Sequence, residues 1–268
     1  MTSGRSAAGV CTSGRVEALH VYPVKGLSPQ PLREVQLSAG RAFPFDRAFA
    51  LARPGGEYAP GVRRGISKRQ FFVLVDEARL AALRTRLDTA TGVFTVAVRE
   101  HEVLRADLRT GEGVQRVLEL FARVLDLPAG VLPVWAHEEG RRFTDTAPGG
   151  DEAMELVSVL NLASVRELER RAGAPVDPLR FRANVHVDGL PAFGELDLVG
   201  REFDLGGVRV RGEKPTVRCA ATEVDPGTGR RDLPVPQLLS RCFGHDLMGF
   251  YVRVLTGGTL AVGGGVRA

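Results

Sequence analysis

The feature that most constrains this chain is a succession of short runs with alternating polarity, each closed by Gly, Pro or Asp. They include "VEALHVYPV" (16–24), "LREVQLS" (32–38), "RAFALA" (47–52), "GVFTVAVRE" (92–100), "ANVHVDG" (183–189), "FDLGGVRVRG" (203–212), "TVRCAATEV" (216–224) and "FYVRVL" (250–255). Alternation with a period of two is the signature of strands that bury one face. The 32 glycines suit many tight turns. Parallel α/β sheets read instead as continuous apolar strands separated by regular helices. The pattern therefore predicts a β-rich α+β fold built as a barrel or folded meander.

Four helices are predicted between the strands. Residues 76–88 place Leu80, Leu83 and Leu87 on one helical face, with Asp76 as the N-cap. Residues 112–127 carry Val114, Val117, Leu118, Phe121 and Leu125 at helical spacing before Pro128. Residues 161–173 run from Asn161 to Gly173, and residues 235–244 end at Gly244. In the last of these Cys242 shares the apolar stripe with Leu238 and Leu239, so it is assigned to the core. The polar Gly/Pro-containing stretch 136–154 separates two halves. The expected organisation is a loose tail over 1–14, a first domain over 15–130 and a second over 131–268.

Charge excludes some functions. Thirty-six Lys and Arg oppose 32 Asp and Glu, a net +4, without the concentrated basic stripe that nucleic acid requires. The short cluster "RRGISKR" (63–69) reads as a solvated face. No apolar run is long enough to span a bilayer, and the first residues lack the apolar segment of a signal peptide. Cys11, Cys219 and Cys242 are widely separated with no CxxC, which points to free thiols in a reducing cytoplasm. P-loop, GxGxxG, HExxH and GxSxG patterns are absent, and the five histidines have no metal-ligand spacing.

Three stretches nonetheless carry polar residues that a structural strand does not need. "YPVKGL" (22–27) breaks a strand with Pro23 and follows it with Lys25 and Gly26. "PFDRAFAL" opens a strand with Asp46 and Arg47. "PLRFRANVHVDG" sets Arg180, Arg182 and Asn184 two apart, on one face if the run is extended. Each alone could be a solvated edge. Joined to Cys219, they supply one soft thiolate, which suits soft metal centres, and several cations, which suit phosphate. A ligand that needs both is a metal carried by an organic phosphate.

These stretches, together with "SVLNLASVREL" and "VRCAATEVDPGTGRRD", resemble the MOSC proteins over about residues 16–266. They are most similar to the group that has an N-terminal MOSC β-barrel half and includes the mitochondrial amidoxime-reducing component. The resemblance implies a MOSC β-barrel with an N-terminal β-barrel-like half and a few packed helices. It implies a molybdenum cofactor (Mo-molybdopterin), with Cys219 as the metal ligand and catalytic centre. Lys25, Arg47, Arg182 and Asn184 then line the pterin and phosphate, with Asn161 and Ser164 at a helix start and Arg180 and Arg218 alongside. In a regular strand Arg218 faces away from Cys219. Gly26 and Gly264 depart from the commoner family residues, as does Ala183.

The implied activity is an oxidoreductase that removes oxygen from N-hydroxylated or similar small molecules. Its electrons would come from a separate flavin or iron–sulfur reductase, since the chain has no ferredoxin-like cysteine cluster. The alternative is a carrier of cofactor, or of sulfur as a persulfide on Cys219. Pyridoxal phosphate is not expected, because no aminotransferase-like domain is present. Neither nucleic acid nor membrane is an expected partner.

Overall fold

The computed structural model describes residues 13–61 and 65–267. Cys11, most of the proposed tail, and Arg63 and Arg64 of the basic cluster lie outside these. In chain order the first strands are β1 (Ser13–Val21), β2 (Gln30–Leu32), β3 (Glu34–Leu37), β4 (Phe49–Ala52), β5 (Leu83–Leu87), β6 (Val93–Val98), β7 (His101–Asp107) and β8 (Val134–His137). Helix α1 (Gly111–Val124) precedes β8, and α2 (Asp151–Met154) follows it. Then come β9 (Val157–Asn161), α3 (Leu162–Ala172), β10 (Val185–Asp188), β11 (Glu202–Leu205) and β12 (Val208–Val217). The chain ends with α4 (Val235–Phe243), β13 (Leu247–Val254), β14 (Gly258–Ala261) and β15 (Gly265–Arg267).

Seven strands close a barrel in the order β1-β10-β9-β13-β12-β11-β15 and back to β1. Only the β10–β9 pair is parallel. The inward residues of each strand, among them Val16, Leu19, Val159, Val187, Phe203, Val210, Phe250 and Val252, fill the interior. Closure removes the exposed edges that an open sheet of this size would present. It also ties the two halves of the chain together, because β1 supplies a wall between β10 and β15. Beside the barrel, β5-β6-β7 form a meander whose apolar face meets α1 through Leu83, Leu87, Phe94, Val96, Val117 and Phe121. The pairs β3–β14 and β4–β8 complete the layers. Among the described residues no helix is long and apolar enough to cross a membrane.

Three of the predicted helices form where expected. Asn161 caps α3 by accepting from Ala163 N, and Gly173 ends it in the left-handed region. The fourth does not form. Residues 78–82 make a 3-10 turn, and Leu83–Leu87 is the strand β5. Leu83, Thr85 and Leu87 also fit a period of two, and pairing with β6 selects it over the helical spacing.

Other expectations also change. Residues 203–212 are not one strand but a hairpin that turns at Gly206 and Gly207, both with positive φ. The run 216–224 stops at Val217, and Ala220–Glu223 is a 3-10 turn. Cys242 is half-buried rather than core, because the stripe of α4 that is fully covered runs through Val235, Leu238 and Leu239.

Candidate functional site

The end of β12 determines where Cys219 stands. Released from the ladder after Val217, the chain turns, and Cys219 becomes the residue that leads into the 3-10 turn, with Thr222 N and Oγ1 both donating to its carbonyl. Its thiol is half-exposed and faces a cavity of about 450 Å³, within the ordinary size range of small-molecule sites. Lys25, Arg47, Arg180, Arg182, Asn184 and Arg218 line the same cavity, so seven of the nine residues expected from sequence converge there.

Asn161 and Ser164 do not reach the cavity. They are fully buried around the carboxylate of Glu195, which accepts from Asn161 Nδ2 at 3.0 Å, Ser164 Oγ at 2.8 and 2.9 Å and Gly249 N at 3.3 Å. Burial pushes the Glu195 carboxyl up, against these hydrogen bonds. The side-chain donors at the start of α3 are therefore taken by the protein's own Glu195 carboxylate.

Two arginines define the cationic end. Arg47 and Arg182 both adopt left-handed backbone conformations, with φ of 48° and 52°, which is uncommon for side chains of this size. Each guanidinium lies 4.4 Å from the centroid of the Tyr22 ring. Arg47 Nη1 pairs with Asp46, and its Nη2 donates to the carbonyl of Arg182 at 2.8 Å. Arg182 Nη1 donates to Leu27 O at 2.8 Å, whereas its shielded Nη2 has no partner. Burial and the neighbouring Arg47 charge bring Arg182 down to about 10. Burial opposes the Arg47 charge too, but Asp46 more than restores it. Tyr22, fully enclosed, is pushed up to about 12 by burial.

Arg180 and Arg182 are not on one extended face. Pro178–Phe181 is a 3-10 turn, and Arg180 points to Asp232 at 2.8 Å and to the carbonyl of Glu223 at 3.1 Å. It clamps the loop after Cys219 against the 3-10 turn that precedes Arg182. Asn184 spends its amide within the protein, donating to His20 O and Asp46 Oδ1 and accepting from Ser158 N and Oγ. Arg218 is buried and gives all three nitrogens to the carbonyls of Met248 and Phe181. Burial lowers it to about 10. Gly26, with φ +82, occupies a conformation that strains any other residue, and a Cβ there would meet Phe72 O at 3.1 Å.

Sequence reasoning missed Lys68 and Asp145. Lys68 belongs to the cluster read as a solvated face, and Asp145 to the polar stretch read as a linker. Lys68 Nζ stands 3.4 Å from Cys219 Sγ and 3.4 Å from Asp145 Oδ2. The other Asp145 oxygen accepts from Lys25 Nζ at 2.5 Å. Burial disfavours the Asp145 charge, yet Lys25, Lys68 and Arg47 outweigh it and hold the carboxyl well below its usual range. Burial in turn lowers Lys25, with Asp145 opposing. For Lys68 burial is outweighed by Asp145 and Cys219, and its pKa rises. A lone charged residue in a polar loop carries no periodic signal, so only the folded chain reveals this contact.

The protein is thus a closed seven-strand barrel with a cysteine just past the end of one strand, facing a cation-lined cleft. The chain belongs to the MOSC domain proteins: residues 13–126 match the MOSC N-terminal beta barrel domain and residues 146–267 the MOSC domain. MOSC domains are associated with the molybdenum cofactor. No curated protein matches the chain. Among solved structures it is similar to the YUAD protein from Bacillus subtilis, at 12% identity and a TM-score of 0.42 over 96% of both chains. It is also similar to YiiM from Geobacillus stearothermophilus, at 22% identity and a TM-score of 0.33 over 42% of this chain and 53% of that one.

Proposed function

We propose that the protein is a molybdenum-cofactor oxidoreductase that reduces N-hydroxylated or similar N-oxygenated small molecules with electrons from a separate reductase. The observation that carries this reading is the pairing, in one cleft, of the Cys219 thiol with the unpartnered Arg182 Nη2 beside a second guanidinium. A shielded guanidinium nitrogen without a partner is costly and fits an absent anion. Thr216 Oγ1, also unpartnered, lines the same wall. Among the described residues no group of three or more His, Cys, Asp or Glu is placed to hold a bare metal ion. A metal at Cys219 would thus take its other ligands from a non-protein group, as the dithiolene of a pterin provides.

In this reading Cys219 ligates the metal, and Arg47 and Arg182 hold the phosphate. Lys25 is held at the cleft wall by its ion pair with Asp145, which offsets its charge. Arg180 and Arg218 act as struts, the first bracing the loop after Cys219 and the second holding Met248 and Phe181 behind it. When bound, the cofactor would supply two-electron chemistry at the metal. The chain itself would orient the Cys219 sulfur, neutralise the phosphate through Arg47 and Arg182 and, through Lys68, keep an ammonium donor beside the ligating sulfur.

The test is to express the protein in cells that make the cofactor, measure bound metal and pterin, and assay amidoxime reduction with an artificial electron donor. The proposal expects near-stoichiometric cofactor and turnover. Cofactor without turnover on any N-oxygenated substrate would mark a carrier, and a chain free of pterin would end both readings.

A further inference from the structure

We infer that the site selects small substrates that bear a carboxylate or similar anion on an apolar body, and that Lys214 reads that charge. The inference rests on the oxidoreductase reading above and assigns its substrate class. Two carboxylates line the cleft, and both are already engaged. Asp46 takes Arg47, Asn184 and the Tyr22 N–H, while Asp145 takes Lys25 and Lys68. The wall carries seven cationic side chains, Lys25, Arg47, Lys68, Arg180, Arg182, Lys214 and Arg218. Five of these are committed to carboxylates, to carbonyls or to the phosphate assigned above. Lys68 is shared between Asp145 and Cys219.

Lys214 differs from all of them. It is exposed, it has no hydrogen bond or ion pair with any described residue, and its ammonium lies 5.6 Å from the ring centroid of Tyr251, another cleft residue. Lys214 and Tyr251 face each other across the β12–β13 ladder, at a place where the register shifts between Gly212 and Lys214. Such an irregularity re-aims the side chains that follow it. The same strand adds apolar surface beside them: Pro215 and Val217 also line the cleft, flanking Thr216, and Val217 is 63% exposed. An exposed valine two residues before the cysteine offers contact to an uncharged body, and a free ammonium beside it offers a counter-charge.

The experiment uses the cofactor-loaded protein and two probes of opposite charge on the same ring, benzamidoxime with a para-carboxylate and benzamidoxime with a para-trimethylammonium group. Dissociation constants are measured calorimetrically without electron donor, and KM and kcat with an artificial donor. The wild type is expected to favour the acid by at least about fivefold in dissociation constant and in KM, the scale of one rim charge, with the preference shrinking as salt is added. Lys214→Gln should abolish most of that preference, and Lys214→Glu should reverse it, both with near-normal kcat for unsubstituted benzamidoxime. Because Lys214 is exposed, neither variant should perturb folding.

A loaded wild type without preference for the acid, or a Lys214→Glu variant that keeps it, would overturn the inference and leave the cofactor reading intact. So would a Lys214→Glu effect confined to a protein electron donor. A chain that takes up no cofactor would remove both.

Discussion

At the residue scale the cleft is organised by Asp145, whose two oxygens join Lys25 to Lys68 and so reach the sulfur of Cys219. Removing that charge leaves two ammonium groups without their shared counter-ion. Asp145→Asn should lose about 1–3 kcal/mol of stability at neutral pH, between the values typical of exposed and buried pairs because the carboxylate is partly open to the cleft. The pH dependence has a definite sign. A carboxyl held below its ordinary value of 3.8 contributes stability that is fully present above that value and lost as the pH falls below it. Wild-type and Asp145→Asn melting temperatures should therefore converge as the pH drops below about 4 in thermal scans. A gap that widens on acidification would contradict the assignment.

Several of these residues were legible in the sequence because they sit where a regular strand has no use for them. Lys25 follows a strand-breaking proline, Arg47 opens a strand after a loop, and Arg182 lies two residues from both Arg180 and Asn184. The left-handed backbones of Arg47 and Arg182 and their shared position against Tyr22 were not legible, because both depend on long-range packing. Lys68 carried no local signal at all.

At the scale of elements, the start of α3 is where sequence and structure part. A helix N-terminus with Asn and Ser is chemically suited to an anion. The anion found there is Glu195, supplied by the chain's own Gly194–Leu198 turn. Without it, Asn161 Nδ2 would keep Pro191 O, and Ser164 Oγ would still accept from Phe193 N, but one Asn161 N–H, the Ser164 O–H and the Gly249 N–H would lose their acceptor in the interior. Glu195→Ala should therefore cost about 2–4 kcal/mol in urea unfolding, the scale of a buried network losing its acceptor. Glu195→Gln should cost less. Because burial raises this carboxyl, wild-type stability should decline as the pH climbs above the ordinary value of 4.5, and the Gln variant should lack that slope.

The same scale explains the misread helix at residues 76–88. Leucines at positions 80, 83 and 87 satisfy helical spacing, but 83, 85 and 87 satisfy a strand equally well. The neighbouring β6 decides between them. The 216–224 run failed in the opposite direction: its alternation continues past Val217, while the backbone has already left the sheet. That early exit is what turns Cys219 toward the cleft rather than into the barrel wall.

At the scale of the whole molecule, the barrel is a frame that brings distant segments to one place. Lys25 and Arg47 come from the connections after β1, Arg182 from the turn before β10, and Cys219 from the end of β12. Because β1 closes the barrel against β10 and β15, the cationic end and the thiol end of the cleft are held by one rigid wall. The many short alternating strands made the barrel class readable from sequence. The closure order, with its single parallel pair, depends on which strand edges meet and has no local code.

In the proposed function this frame presents Cys219 as the protein's ligand to a pterin-bound molybdenum. X-ray absorption at the molybdenum edge of the loaded protein tests it most directly, by comparing wild type with Cys219→Ser. One sulfur neighbour fewer is expected in the variant, with the arginines proposed to hold the phosphate still retaining some pterin. An unchanged sulfur count in Cys219→Ser, or a wild type that holds no molybdenum, would contradict it.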